Sequence, residues 1–455
     1  MLLSVPDGYS LVGFLATGLA ARLAARADCP CTYIIPSGAE ACVPEDLARA
    51  ARWLTFPARE RTFAEAFFGY LRLEASHAGL PRSSWELIRR KHVSTGWKWR
   101  LARWLAWLMG RAPPLEHLLY TAERVAGMGT ALAPLVNGSF RTVVFGSCGI
   151  RDLDQSLVGT FRRRHVRSYG IVDSWDHLTS KFNRFARFDR ISVWNEAMRD
   201  EAIENMGYRA AQIAVVGPPR FDIYHRYDPG RPREDFLARE GFPPAARYVL
   251  YSGVPPSVSP WGARYARAIL EASRDVHVLV RTHPQDNSGS YAAIADHPRA
   301  RVIDAGRPST AGERLHGLWT PREGEAALLA DQIFHADVVV NVASTVTLEA
   351  LRLGRPVINI GYDVESGDFP ASMAEYYGTP HYSRVVRAGV APVARSEGEL
   401  QELVRSASTW WPTLADRVAR FNRVIDPFQD GQATRRLADD IIAFHLRGPG
   451  RATRR

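Results

Sequence analysis

The chain has 455 residues, of which 46% are hydrophobic and 23% are charged, and its formal net charge is +10. The length is too great for one ordinary core and predicts two domains of roughly 200 residues each, and the composition excludes a disordered chain and a membrane-spanning bundle. The positive charge favours an anionic partner, which could be nucleic acid, an anionic membrane surface or a phosphorylated substrate.

The four cysteines show no metal-binding pattern. Cys29 and Cys31 are separated by one residue, and no nearby pair of His or Cys completes a tetrahedral site with these two or with Cys42 and Cys148. We therefore expect reduced thiols in a cytoplasmic protein, and no bound metal.

An apolar run from Leu11 to Ala21 lies near the amino terminus. Asp7 precedes this run where a signal peptide would carry positive charge, and Arg22 ends it before it reaches the length that spans a bilayer. The run therefore predicts a buried first helix.

Strands and helices alternate along the first half of the chain, which predicts a parallel sheet. A segment from about 45 to 135, rich in Arg, Trp and Leu, is predicted as a mostly helical insertion that lies outside this sheet. The predicted strands are Leu2–Val5, Thr32–Ile35, Val143–Phe145, Arg167–Ile171, Arg190–Val193 and Ile213–Val216, and the predicted helices are Ser10–Arg26 and Glu196–Met206.

A stretch from Tyr224 to Ala246, dense in Pro, Gly and charge, predicts a linker, and a second alternating series follows it. We predict an α/β protein with two doubly wound, Rossmann-like domains that face a central cleft, where such sheets bind ligands. The predicted units are an acceptor-side domain at 1–235, a nucleotide-donor domain at 236–430, and a C-terminal helix with a basic tail at 431–455. The second series comprises strands at Tyr248–Ser252, Val276–Thr282, Val338–Asn341 and Pro356–Ile360, and helices at about 323–334, Thr345–Leu353, Leu400–Ser408, Trp411–Ile425 and Thr434–Leu446.

Two strand ends of the second series carry side chains suited to phosphate. Arg281 and His283 directly follow a strand, where a guanidinium could bind phosphate oxygens and an imidazole could donate to phosphate or shuttle a proton; the alternative is a strand-end His satisfied by the backbone. Ser344 or Thr345 would begin a helix, where free N–H groups favour a phosphate, and Glu349 one turn further on could accept from ribose hydroxyls. The alternative is that Ser344 only caps the helix.

A loop of the first domain, from Ser174 to Lys181, gathers a carboxylate, an imidazole, hydroxyls and an amine. Asp176 or His177 could deprotonate an acceptor hydroxyl, and Lys181 could meet a phosphate; the alternative is a polar loop whose Asp caps the next segment. Asn195, at the end of the next strand, favours an N-cap over a ligand.

The stretch at about 89–108 is both basic and aromatic. On a helical wheel an apolar set shares one face while Lys98, Arg100 and Arg103 flank or oppose it, a pattern suited to a membrane interface. Packing of the same face on the protein's own core is the alternative. The apolar set is Trp97, Leu101, Trp104, Leu105 and Leu108.

Together these segments resemble the superfamily of GT-B-fold transferases that includes the CDP-glycerol glycerophosphotransferases and related surface-carbohydrate transferases. The residues Arg281-Thr282-His283-Pro284 resemble the family's Arg-x-His-Pro donor motif. Ser344-Thr345 falls where the family has a Ser-Ser pair, and Tyr362-Asp363 matches a Tyr-Asp. The loop Trp175-Asp176-His177-Leu178-Thr179-Ser180-Lys181 has the spacing of the family's Trp-His-Gly-Thr-Pro-x-Lys, with Asp176 where the family has its His base. This departure, with the sequences Val-Trp-Asn-Glu and Val-Gly-x-Pro-x-Phe-Asp that follow, resembles the surface-carbohydrate branch.

The resemblance implies a metal-independent glycosyltransferase that uses a nucleotide-activated sugar to build a bacterial surface polysaccharide of the capsule or lipopolysaccharide type. No tightly bound cofactor is expected, because the nucleotide-activated donor is a substrate. The donor-binding residues would be Gly253, Arg281, His283, Ser344, Thr345, Glu349, Tyr362 and Asp363; the catalytic residues Asp176 and His283; and the acceptor-side residues Asp7, Trp175, His177, Lys181 and Asn195.

Three alternatives remain open at this point: a polyol-phosphate transferase of the CDP-glycerol type, an enzyme like the UDP-sugar 2-epimerases, and an inactive membrane-associated scaffold. The expected partners are a nucleotide sugar or CDP-polyol, a glycan or lipid-linked acceptor, and an anionic membrane contacted through about 89–108. Nucleic acid is discounted because no aromatic stacking pattern or zinc motif accompanies the charge. The expected location is the cytoplasm, with peripheral contact on the inner face of the cell membrane.

Overall fold

The computed structural model describes residues 1–26, 28–56, 63–78, 80, 84–87, 97–111, 140–148, 154, 157–158, 160–161, 164–182, 184, 186–306, 324–365 and 372–447. These residues form two domains, each built on one parallel sheet. The predicted α/β fold with two Rossmann-like domains is therefore confirmed.

The first domain contains a seven-stranded parallel sheet in the order β3-β2-β1-β4-β5-β6-β7. The strand order reverses between β1 and β4, and ligands of such sheets bind beyond the strands' carboxyl ends at that reversal. The strands are β1 Leu2–Ser4, β2 Thr32–Pro36, β3 Arg52–Phe56, β4 Thr142–Phe145, β5 Arg167–Ile171, β6 Arg190–Val193 and β7 Ile213–Val215.

Both faces of this sheet are covered, which explains why its strands are apolar without alternation. Leu2 and Val143 belong to one buried cluster, whereas their neighbours Leu3 and Val144 belong to another on the opposite face. The helices described in this domain are α1 Gly8–Leu15, α2 Leu19–Ala24, α3 Glu45–Ala50, α4 Phe63–His77, α5 Trp97–Arg111, α6 His177–Ser180, α7 Glu196–Met206 and α8 Asp222–His225.

The single first helix predicted at Ser10–Arg26 is wrong, because the chain forms two helices there. Gly18 separates them with φ at 77°, in the left-handed region that a residue with a side chain seldom adopts. The first of the two begins at Asp7, whose carboxylate accepts from the N–H of Ser10 at 2.8 Å.

The prediction that everything from about 45 lies outside the sheet is wrong for β3. This strand pairs in parallel with β2 along five residues, and the ring of its Trp53 stacks on Tyr33 at 4.4 Å. The strand has five residues, its apolar Trp53 and Leu54 are adjacent, and all but one of its residues are half-buried. So short an edge strand without clear alternation does not stand out from a helix-rich segment. After β3, the described part of the insertion is the helix pair α4 and α5.

The second domain contains a six-stranded parallel sheet in the order β10-β9-β8-β11-β12-β13. Its strand order reverses between β8 and β11. Tyr248 and Leu250 face one buried cluster, and Val249 and Tyr251 face another. The strands are β8 Arg247–Ser252, β9 Val276–Arg281, β10 Ala300–Ile303, β11 Val338–Asn341, β12 Val357–Ile360 and β13 Val393–Ala394.

Helices flank this second sheet and continue to the end of the described chain. One of them, α9, lies within the predicted linker. They are α9 Arg233–Arg239, α10 Gly262–Glu271, α11 Ala292–Ala295, α12 Glu325–His335, α13 Val346–Arg352, α14 Met373–Tyr377, α15 Ser383–Ala388, α16 Glu397–Arg405, α17 Ala407–Trp410, α18 Ala415–Ile425 and α19 Ala433–Leu446.

The last helix, α19, returns to the first domain. Its Asp440 accepts two hydrogen bonds of 2.7 Å from the guanidinium of Arg190 and one of 2.8 Å from the hydroxyl of Tyr169. Just before this crossing, the side-chain amide of Asn195 donates to the carbonyl of Ile425 at 3.1 Å. The chain therefore crosses between the domains twice, once near 226–232 and once near 426–432. Among the described helices, none is long and apolar enough to cross a membrane.

Candidate functional site

The candidate site lies between the two domains, where the carboxyl ends of both sheets meet. In the second domain, Gly253 follows β8 and Ser344 follows β11, so the two residues flank the reversal of strand order. In the first domain, the loop that follows β5 runs through Asp173 to Lys181. The predicted donor-side and acceptor-side residues therefore face one cleft.

Trp175 joins the acceptor-side loop to the second domain. Its indole Nε1 donates to Oγ1 of Thr345 at 3.2 Å, and the side chain is 2% exposed. The same ring packs edge-on against His381 with centroids 5.1 Å apart and tilted against Tyr382 at 5.5 Å. Two residues predicted from separate motifs, Trp175 and Thr345, are thus in contact.

Asp176 is held by an ammonium group and by hydroxyls. Its carboxylate lies 2.9 Å from Nζ of Lys181 and accepts from Ser174 at 2.5 Å and from Ser180 at 3.1 Å. Burial alone would raise the pKa of this carboxyl, but Lys181 and the nearby imidazoles lower it well below its usual range. A carboxylate with so low a pKa is a weak proton acceptor and a firm anchor for Lys181.

His177 lies between two carboxylates. Its Nδ1 is 2.9 Å from Oδ1 of Asp173, and its Nε2 is 4.0 Å from Oδ1 of Asp176. The ring is buried, with 9% of the side chain exposed. An imidazole with a carboxylate close to one of its nitrogens is a common arrangement for a general base.

His381, in the second domain, completes this cluster and was not predicted from the sequence. Its Nδ1 lies 3.4 Å from Oγ1 of Thr179. Burial, which Lys181 and Arg384 reinforce against the opposing effect of Asp176, lowers the pKa of His381 to about 4. The imidazole is therefore neutral at physiological pH. It lies in no recognisable motif and meets the loop of the first domain through the tertiary fold alone.

Arg281 stands at the end of β9 as predicted, but its charge is already paired. The guanidinium, 6% exposed, donates to the carboxylate of Glu325 and to Oε1 of Gln332 at 3.2 Å. The structure places this charge beside the strand ends and beneath the cleft surface. A direct bond from Arg281 to a donor phosphate stays a prediction.

Gly253 and His283 lie together where β8 and β9 end. A Cβ added to Gly253 would lie 2.6 Å from Oη of Tyr291 and 3.3 Å from the backbone nitrogen of His283, so a side chain does not fit there. Nδ1 of His283 accepts from the N–H of Gln285 at 3.1 Å. This bond assigns the ring hydrogen to Nε2 in the neutral form.

The turn after β11 bends sharply before α13 begins. Ala343 has φ at 38°, which is uncommon for a residue with a side chain and marks a strained turn. Oγ of Ser344 accepts from the N–H of Val346, the first residue of the helix, at 3.2 Å. The N-cap position itself is Thr345, which makes no side-chain cap bond, so the predicted phosphate role of Ser344 and Thr345 stays a prediction.

Glu349 forms an ion pair with Arg220, a first-domain residue that sequence reasoning missed. The two side chains approach to 2.9 Å, with Glu349 1% exposed and Arg220 35% exposed. Burial would lower the pKa of Arg220, but Glu349 raises it, and Tyr224, Asp173 and Tyr9 act in the same direction. Arg220 is the second variable position of the segment Val-Gly-x-Pro-x-Phe-Asp, so the motif held it without assigning it a role.

The remaining predicted residues lie at the margins of the cleft. Asp363 accepts from the N–H of Met373 at 3.1 Å, and the carbonyl of Tyr362 accepts from the hydroxyl of Tyr265 at 2.8 Å. Burial raises the pKa of the Tyr362 phenol. Asp7 and Asn195 both act as N-caps, which confirms the capping interpretation of Asn195.

Comparison with solved structures places the fold among GT-B-like enzymes. A Staphylococcus aureus MnaA structure in complex with UDP has a TM-score of 0.55 at 9% identity, covering 97% of this chain and 96% of that one. A Listeria monocytogenes structure, described as a putative UDP-N-acetylglucosamine 2-epimerase, has a TM-score of 0.57 at 12% identity, covering 98% and 96%. The calicheamicin glycosyltransferase CalG4 has a TM-score of 0.51 at 14% identity, covering 99% of both chains.

Sequence comparison adds nothing to these likenesses, since no family model and no curated protein matches the chain. At such low identity the structural neighbours establish the GT-B-like arrangement of two Rossmann-like domains, and with it the predicted fold class.

Proposed function

We propose that this chain is a glycosyltransferase that takes a sugar from a nucleotide donor and adds it to a growing bacterial surface polysaccharide. The observation that carries the proposal is the contact of Trp175 with Thr345, because it sets a loop rich in proton-transfer groups against the strand ends where a nucleotide would lie. Structural neighbours include an enzyme solved with UDP and a glycosyltransferase, which supports a nucleotide-sugar donor.

The donor would lie along the carboxyl ends of β8, β9 and β11. The backbone at Gly253 allows a close approach, and Nε2 of His283 would donate to a phosphate oxygen. Ser344 and Thr345 would hydrogen-bond the same diphosphate. Arg220 adds a cation that stays partly exposed in the cleft, whereas Arg281 is neutralised by Glu325.

We assign proton transfer from the acceptor to His177, oriented by Asp173. Asp176 is the base expected from the sequence, but its carboxyl has a lowered pKa and forms an ion pair with Lys181. We therefore assign Asp176 to a positioning role, in which it holds the Lys181 ammonium group near the charge that develops on the leaving diphosphate. In this mechanism the acceptor hydroxyl loses its proton to His177 Nε2 as its oxygen bonds to the anomeric carbon. The nucleoside diphosphate leaves with the electron pair of the broken bond.

Thermal unfolding with a panel of nucleotides and nucleotide sugars tests the donor site. A ligand that binds the native state adds about 2.7 kcal/mol at a hundredfold excess over Kd, so the correct nucleoside diphosphate should raise Tm visibly. His283→Ala and Ser344→Ala should reduce the rise. The matched controls are His297→Ala, whose Nδ1 makes the same type of bond to a backbone N–H at 3.2 Å, and Ser408→Ala, an exposed serine.

The panel also separates the rival functions. A response to CDP conjugates alone would favour the polyol-phosphate transferase, and no response to any uridine, guanosine or cytidine nucleotide would favour the inactive scaffold. Three neighbours are described as UDP-N-acetylglucosamine 2-epimerases, one of them as putative, which makes epimerisation the second candidate. An epimerase converts its sugar without an acceptor, so turnover of the donor in the absence of any acceptor would replace the transferase proposal.

A further inference from the structure

A cluster of large apolar side chains on α5 faces outward, on a part of the insertion that the proposed chemistry does not use. Trp97 is 65% exposed and Trp104 is 57% exposed, although such rings are normally buried. We define the α5 outer face by its exposed apolar residues, which are Trp97, Leu101, Trp104, Leu105 and Trp107.

The helix packs on the protein through its other side, which is lined by small residues. Ala102 and Ala106 are buried in a cluster with Tyr70, Leu71 and Ala75 of α4. At about 100° per residue, these alanines lie roughly opposite the α5 outer face. The sequence left open whether the tryptophans pack on the core, and the structure places the alanines there instead.

The charge of α5 indicates what the outer face contacts. The sequence of the helix contains four basic residues and no acidic residue. Arg100 and Arg103 are exposed. At about 100° per residue, Arg100 lies between Trp104 and Trp107 on the helix surface, and Arg103 lies beside Trp107. Tryptophan is suited to the boundary between headgroups and acyl chains, and arginine beside it attracts anionic headgroups.

A second copy of this chain fits the face less well. A symmetric contact would bring the same basic face of two chains together, with no acidic residue on the helix to offset Arg100 and Arg103 of either chain. A surface of anionic lipid offers the opposite charge together with an apolar layer.

We propose that the α5 outer face docks on an anionic lipid bilayer, with the helix lying in the interface. The helix pair is connected to the candidate site. The His77 ring of α4 packs on Phe182 with centroids 4.3 Å apart, and the N–H of Ser84 donates to the carbonyl of Thr179 at 2.7 Å. Docking would therefore bring the loop that contains Lys181 near the membrane. A lipid-linked acceptor would meet this loop at the membrane only if the proposed function is correct. The docking itself does not depend on the proposed function.

Vesicle sedimentation with the full chain tests the docking. We expect binding to vesicles that contain phosphatidylglycerol, and much weaker binding to vesicles of phosphatidylcholine alone or at high salt. The double variant Trp97→Ser with Trp104→Ser should weaken binding by about tenfold or more. Arg100→Gln with Arg103→Gln should reduce the preference for anionic lipid while retaining residual binding.

Two exposed residues of α18 provide matched controls. Val424→Ser removes an apolar side chain that is 53% exposed, and Arg420→Gln removes an exposed arginine, so both variants should bind vesicles like the native chain. Because all these positions are exposed, Tm should stay near the native value, which shows that a loss of binding is not a loss of folding.

Three results would overturn the proposal. The first is that the native chain leaves anionic vesicles unbound, and the second is that the α5 variants bind as well as the α18 controls. The third is that light scattering reveals a dimer that the tryptophan substitutions dissociate. The last result would assign the face to a contact between copies. Nucleotide binding, measured separately by thermal unfolding, would be unaffected by any of these results, so failure of docking is distinguishable from failure of the proposed function.

Discussion

Nη2 of Arg220 lies 2.9 Å from Oε1 of Glu349, and this ion pair connects the turn between β7 and α8 of the first domain to helix α13 of the second. The two partners differ in their access to water, because Glu349 is 1% exposed and Arg220 is 35% exposed. A charge that loses its partner is costly only where water cannot replace that partner. Removal of Arg220 should therefore cost more free energy of unfolding than removal of Glu349, although the two charges are equal in size.

This asymmetry predicts unequal effects of the two single substitutions. Arg220→Met leaves a buried carboxylate without its cation and should lower the free energy of unfolding by about 3 kcal/mol. Glu349→Gln leaves a guanidinium that can reach water and should cost about 1 kcal/mol. Urea unfolding measures both values.

The double variant provides the control. Arg220→Met with Glu349→Gln removes the buried charge together with its partner, so it should be more stable than Arg220→Met alone. Equal losses for the two single variants, or additive losses in the double variant, would contradict the assigned asymmetry.

The lowered pKa of His381 predicts a loss of stability in acid. The imidazole has a pKa of about 4 in the folded chain, against an ordinary value of 6.5. Between these two pKa values the imidazole is protonated in the unfolded chain and neutral in the folded chain. The free energy of unfolding should therefore fall as pH decreases from about 6.5 to about 4. Above about pH 6.5 this contribution should be constant.

Replacement of this ring should flatten the profile. Urea unfolding of His381→Asn at about pH 7 and about pH 5 should show a smaller loss in acid than the native chain. The buried His77, whose pKa is also lowered to about 4 by burial, keeps part of the dependence. His297→Asn, a substitution outside the cleft, should leave the native profile unchanged, and an unchanged profile in His381→Asn would mean that the ring is protonated in the folded state.

The sequence was sufficient to predict elements with strong local patterns. The strands Arg167–Ile171, Arg190–Val193 and Val338–Asn341 and the helix Glu196–Met206 have the predicted bounds, because apolar runs and an N-cap at Asn195 define them locally. The strand β10 and the two-residue β13 were missed. They form the two edges of the second sheet and carry little apolar pattern of their own.

The candidate site was predictable only in part, because some of its contacts join residues far apart in the chain. The loop that holds Asp176 and Lys181 was found from its own residues. His381 meets this loop across more than two hundred positions, and no local signal marks it. Arg281 was found from its motif, but its surroundings were not predictable. The guanidinium is buried against Glu325, and this contact depends on the packing of α12.

The close approach at Gly253 predicts a specific rescue. Gly253→Ala would place Cβ 2.6 Å from the hydroxyl oxygen of Tyr291, which should cost about 1–3 kcal/mol and displace the backbone of His283. Because His283 belongs to the proposed donor site, nucleotide affinity, measured by titration, should fall together with the free energy of unfolding.

Removal of the Tyr291 hydroxyl oxygen should restore much of the lost stability and of the lost nucleotide affinity. The double variant Gly253→Ala with Tyr291→Phe keeps contacts of 3.2 Å and longer to the backbone, which a small shift can relieve. Gly398→Ala, where an added Cβ meets no atom within 4 Å, should be close to neutral. If Tyr291→Phe gives no rescue, the backbone contacts and not the hydroxyl set the requirement for glycine.

The assignment of His177 as the base predicts how Asp173→Asn changes turnover. Asparagine is nearly isosteric with aspartate, so the ring should keep its place while losing the negative charge 2.9 Å from Nδ1. That charge faces the positive charge which the ring acquires in the transition state of proton transfer. With the donor that the nucleotide panel identifies, kcat should fall by about 10²-fold or more while nucleotide affinity stays near the native value. Asp235→Asn, at an exposed position, should leave both quantities unchanged.

The pH profile distinguishes this base from Asp176. Loss of the base should remove the acidic limb of the kcat/KM profile, so His177→Gln should abolish that limb. Asp176→Asn should release Lys181 and lower turnover while retaining the limb. If Asp176→Asn abolishes the limb and His177→Gln preserves it, the carboxylate is the base despite its lowered pKa. The Lys181 ion pair would then have to break in each turnover for the carboxylate to accept the proton.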